Sequence, residues 1–151
     1  VAQSQGVTLD GLTLDMDRSA FAVRTSAWAV ERQTSRKFAN GGEEMRLLLK
    51  DQSFVRISWS DSTPKAVVQA IIYNAGNRTL AADLARSLGN QLGKPDWNDG
   101  KQGRQVWGGK GSADDGVTPL PGREVVVAQN PGPDGTITVT LARATWYSGR
   151  R

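Results

Sequence analysis

The chain has 151 residues with no Cys and no His, which excludes thiolate nucleophiles, the usual zinc sites and any catalytic triad built on imidazole. Nineteen Lys and Arg stand against 15 Asp and Glu, a modest basic surplus. The charges are scattered, densest in Arg32 to Lys37 and at Arg150-Arg151, without base-reading aromatics at a recognisable spacing, so they read as a solubilising surface and no nucleic acid is expected. The length suits one domain over 1–151, and 38% hydrophobic with 23% charged residues is ordinary globular composition.

In chain order, Asp15 or Asp17 caps a first helix that runs through Met16, Ala20, Phe21 and Val23 and ends before Trp28. Gly41-Gly42 breaks the chain ahead of a strand from Met45 to Lys50. Phe54 to Trp59 is a second strand, with Val55, Ile57 and Trp59 on one face, and Lys65 to Tyr73 is a third. The short links at Asp51 to Ser53 and Asp61 to Pro64 suit antiparallel neighbours. Thr79 then caps the clearest helix, in which Leu80, Leu84, Leu88 and Leu92 recur every fourth residue. Gly93 and Pro95 end it. Arg104 to Trp107 is a short strand, and Gly108 to Gly122 reads as a mobile loop. Glu124 to Ala128 and Thr136 to Leu141 form a hairpin around the turn-rich Asn130 to Gly135. Ile137, Val139 and Leu141 face the core and the threonines face solvent.

The expected fold class is therefore α+β: an antiparallel sheet of about six strands with two helices packed on one face. Asp15-Met16-Asp17-Arg18-Ser19 and Asp83-Leu84-Ala85-Arg86-Ser87 share D-[ML]-x-R-S at an offset of 68, and Trp28 and Trp97 follow at similar distances. These echoes suggest a tandem helix-plus-three-strand repeat with halves 9–75 and 79–147.

A helix followed by Leu92-Gly93-Lys94-Pro95-Asp96-Trp97 and then a hairpin sheet resembles the bacterial envelope domains of the BamE (SmpA/OmlA) and β-lactamase-inhibitor-protein families. The opening turn of those families is matched loosely by Gly11-Leu12-Thr13-Leu14-Asp15-Met16. The chain lacks the lipoprotein cysteine of the first family and the disulfides of the second. The resemblance implies a periplasmic, non-catalytic, protein-binding module. The short polar start, Val1 to Gly6, fits the remainder of a cleaved signal and points the same way, to a periplasmic or secreted location.

Trp59 alternates with Val55 and Ile57 and reads as core, whereas Trp97 and Trp107 flank loops rich in Gly, Asp and Lys and read as exposed. Asp96 to Gly100 has an EF-hand flavour, but its Gly comes one position early and Trp107 stands where the closing Glu is needed, so it reads as a turn with no metal. Gly108 to Ser112 departs from a phosphate loop, because Gly111 separates Lys110 from Ser112. Glu43-Glu44 and Asp114-Asp115 are acid pairs of the kind any such chain offers. No cofactor is expected, and no run of apolar residues is long enough for membrane insertion as a helix.

The leading expectation is a non-catalytic exported module that binds another protein through sheet-edge or loop contacts. Its binding residues are Trp97, Arg104, Trp107, Lys110, Asp114 and Asp115. A glycan or small-ligand binder using exposed tryptophans and arginines is a second reading, and a carboxylate-dependent hydrolase a third.

Overall fold

Pleated strands whose alternate residues are apolar must bury one face. In the computed structural model most of the strands join a single antiparallel sheet. The structure describes residues 9, 11–39, 41–76, 78–99, 103–111, 117–120, 124–129, 137–144 and 146. The element order is α1 (Arg18–Thr25), β1 (Val30–Lys37), β2 (Glu43–Leu49), β3 (Phe54–Trp59), β4 (Val68–Asn74), α2 (Arg78–Leu92), β5 (Trp97–Asp99), β6 (Arg104–Trp107), β7 (Gly109–Gly111), β8 (Val117–Pro119), β9 (Glu124–Gln129) and β10 (Thr138–Arg143). Eight strands form one sheet in the order β1-β2-β3-β4-β10-β9-β6-β5, and β7 and β8 pair separately.

The α+β class stands, but the count of about six strands does not. Three of the additional strands, β5, β7 and β8, are only three residues long. The fourth, β1, has the sequence VERQTSRK, with no apolar alternation to announce it; all but its first residue are exposed. The segment read as a loop from Gly108 holds the β7–β8 ribbon. Residues 112–116 and the Asn130 to Gly135 turn lie outside the described residues.

Each helix has one end that its sequence calls for. Asp17 caps α1, its Oδ1 accepting a 2.7 Å bond from the Ala20 N–H. Gly93 closes α2 at φ +71°, its N–H donating to the Gly89 carbonyl at 2.9 Å. Thr79 lies inside α2 rather than ahead of it. Phe21 of α1 stands edge-on to Trp59 with ring centroids 5.3 Å apart. Ala81 and Leu88 of α2 belong to the same buried cluster as Val55, Ile57, Tyr73, Val139 and Leu141. The cluster also takes in Leu9, Leu12, Leu14 and Met16, ahead of the first helix.

The register shows which residues share a face. One row runs Met45–Ile57–Ile71–Leu141–Val126–Trp107 across six strands and carries the main core. The neighbouring row, one residue along each strand and so on the opposite face, runs Thr34–Arg46–Arg56–Ile72–Thr140–Val127–Val106–Trp97 across all eight. The middle of the sheet is the β4–β10 seam, where Asn74 faces Thr138, Ile72 faces Thr140 and Ala70 faces Ala142. An offset of 68 residues carries each of these β4 positions onto β10 and maps the register onto itself. The D-[ML]-x-R-S echo is placed differently: Arg18 opens α1, whereas Arg86 lies in the middle of α2.

Candidate functional site

The face opposite the main core is treated differently in its two halves. Over β5, β6 and β9 it carries Val106, Val125 and Val127, a second small core with Trp97 and, from β8, Val117 packed against it. The β7–β8 ribbon covers this patch. Gly111 lies so near the Trp97 ring that a Cβ there would overlap the indole, so glycine allows the close approach. The Arg104 guanidinium stacks on the same indole, 4.9 Å from its centroid.

Over β2, β3 and β4 no described strand or helix covers the same face, and it is charged. Arg46 and Arg56 are directly opposite each other in the β2–β3 register. Like charges in that position repel, and a single carboxylate relieves them. Glu44 Oε1 accepts from Arg56 Nε at 2.6 Å, and its Oε2 accepts from Arg46 Nη2 at 3.3 Å. Burial pushes the Glu44 carboxyl up, but the hydrogen bond and charge of Arg56, and then those of Arg46, outweigh it and hold the group below the usual glutamate range. Arg36 stands directly opposite Glu44 on β1, yet its guanidinium lies 5.2 Å from the Phe38 ring centroid.

These side chains line a hollow of about 220 Å³ with Phe38, Ser58, Ala70, Ile72 and Trp146. Trp146 is held at the rim by its indole N–H, which donates to Ser58 Oγ at 3.2 Å. A second hollow of about 190 Å³ shares Arg36, Glu44 and Arg46 with the first and adds Thr34 and Ser35. The depression therefore runs on to β1, an edge strand. The site sets three guanidinium groups against one carboxylate over an apolar floor. Chemically such a set is able to accept an anion, because guanidinium forks bind carboxylates and phosphates in bidentate fashion. Another hollow, of about 280 Å³, lies where Leu80 and Leu84 of α2 meet Tyr73.

The residues singled out from sequence are not one face. Trp97 and Arg104 share the ribbon-covered patch, and Arg104 is 2% exposed. Trp107, expected at the surface, is 6% exposed on the core face, where its indole N–H donates to the Gly93 carbonyl at 3.1 Å; it ends β6, the strand read from Arg104 to Trp107, but the loop it flanks does not leave it open. Lys110 is exposed on β7. Asp114 and Asp115 lie outside the described residues. Arg36, Glu44, Arg46 and Arg56 were not singled out. A usable signal was present: strands at 45–50 and 54–59 joined by a tight link place Arg46 and Arg56 together, off the apolar face.

Two other groups bear on chemistry. Asp96 Oδ2 accepts from the Gly108 N–H at 2.7 Å, so this carboxylate of the calcium-like segment braces a turn. The Glu124 carboxyl is pushed up to about 7 by burial, and its Oε2 has no hydrogen-bond partner among the described residues. Arg143 faces Glu124 across β9–β10 but forms an ion pair with Asp15. No protein-family model, curated protein or solved structure matches the chain.

Proposed function

We propose that the protein is a non-catalytic binding module that engages another protein through the charged sheet face and edge strand of its N-terminal half. The observation that carries this reading is the contrast on one face: the C-terminal half is sealed by its ribbon, whereas the N-terminal half keeps a charged hollow open toward β1. In this reading both helices lie on the other face, an arrangement supported by the buried cluster that α1 and α2 share with the core row. The exposed strand β1 leaves backbone groups for a partner strand to meet. An envelope location rests on the resemblance of the helix-to-sheet pattern alone.

A glycan platform needs flat, open indoles, and none of the five tryptophans is fully exposed: Trp59 and Trp107 are buried, and Trp28, Trp97 and Trp146 are partly covered. A carboxylate-dependent hydrolase needs two acids flanking a cleft. The acid with the raised pKa, Glu124, lies by strand alternation on the core face, away from the arginine hollow.

The test is site-selective cross-linking in envelope extract. A photoreactive side chain at Thr34 should give a saturable adduct with one partner, and the same group at Gln91 on α2 should not. Equal labelling from both positions, or none from Thr34, overturns the reading.

A further inference from the structure

Resting on that reading, we infer that the partner offers an acidic peptide segment, whose carboxylates seat in the hollow on Arg36, Arg46 and Arg56. Three features of the hollow choose this chemistry. First, the sheet tolerates two guanidinium groups face to face, a local rule broken without gain in packing, and such violations concentrate at functional positions. Second, the charge left after Glu44 is two positive units among the lining residues, which suits one or two carboxylates. A nucleic-acid backbone would run a continuous line of phosphates past Glu44 and be repelled there. Third, about 220 Å³ is below the roughly 300–1,000 Å³ of sites that engulf a small molecule. It admits side chains from a strand laid across it, and the adjoining hollow carries the path to the β1 edge.

Glu44 is then an internal stand-in. It occupies, on Arg46 and Arg56, the place an incoming carboxylate takes, and the ligand completes what one glutamate only half satisfies. Arg36, parked on Phe38, is the group left to swing toward the ligand.

The experiment is fluorescence polarisation with a fluorescein-labelled deca-glutamate peptide, run beside a labelled 20-nucleotide single-stranded DNA. Peptide binding by the intact chain should weaken about tenfold in Arg36→Gln, tighten severalfold in Glu44→Gln, and stay unchanged in the surface control Arg86→Gln. Arg36 has no part in the Glu44 ion pairs, so its variant keeps the fold testable should Arg56→Gln unfold. Equal loss in Arg36→Gln and Arg86→Gln, weaker binding in Glu44→Gln, or tighter binding of the DNA with the same arginine dependence would each overturn the inference. If the Thr34 cross-link forms while the peptide fails to bind, the face is right and the partner chemistry wrong. If Thr34 gives no adduct, the reading beneath it fails as well.

Discussion

Along a single row of the sheet, Arg46 and Arg56 stand in the N-terminal half where Val106 and Val127 stand in the C-terminal half. The two places hold corresponding strands of mirrored meanders, β2–β3 on one side of the seam and β6–β9 on the other. What differs is the connection. β2 turns into β3 through four residues, Lys50 to Ser53, with Gln52 at φ +74°, whereas β6 reaches β9 only after the β7–β8 ribbon. A pleated face with a roof can bear valines, and one without a roof must bear groups that water or a ligand will solvate.

The comparison breaks most violently if the charge is moved under the roof. Val106→Arg places an unpaired cation at a fully buried position and should destabilise the fold by about 4 kcal/mol or more, seen as a lower midpoint in urea unfolding. On the open side, Arg56→Gln leaves Glu44 with one partner and should cost about 2–3 kcal/mol. Replacing Glu44, Arg46 and Arg56 together by valine should instead leave stability within about 1 kcal/mol of the parent, because an ion network and a well-packed apolar patch are close to equivalent. If the triple variant were as unstable as Arg56→Gln, the network would be structural rather than reserved for a ligand.

The halves also respond to pH with opposite sign. Glu44 titrates below the ordinary glutamate range, so its stabilisation is present above pH about 4.5 and is lost as pH falls through its lowered pKa. Glu124 titrates near 7, so the folded state holds its proton in preference to the unfolded chain. That contribution is whole below pH about 4.5 and is lost as pH rises through 7. Urea unfolding from pH 4.5 to 8 should show a decline on the order of 1–2 kcal/mol after discounting for partial solvent screening, and Glu124→Gln should flatten it. The smallest effect belongs to the helices. The eight-residue α1 leans on its cap, and Asp17→Ala should cost about 1 kcal/mol in the same assay.

Much of this architecture was legible in the residues. Phe54 to Trp59 and Thr138 to Leu141 alternate so cleanly that their faces follow at once, and the leucine stripe with Gly93 marks α2 to its last residue. β1 was not legible, because an edge strand exposed on both faces owes its place to backbone pairing with β2 rather than to side-chain burial. The ribbon was hidden for a related reason: its glycines look like loop residues until Gly111 is seen against the Trp97 ring. The candidate site was missed because Arg36 sits in a stretch read as solubilising charge and Glu44 in an acid pair of common type. Their meaning lies in cross-strand neighbours 8 and 12 residues away, which only a register supplies.

The β4–β10 seam has a local two-fold pattern. Because one offset maps its pairing onto itself, the last strand of either half offers the edge that a second copy of that half would need. Two short chains could close such a seam between them as a symmetric pair.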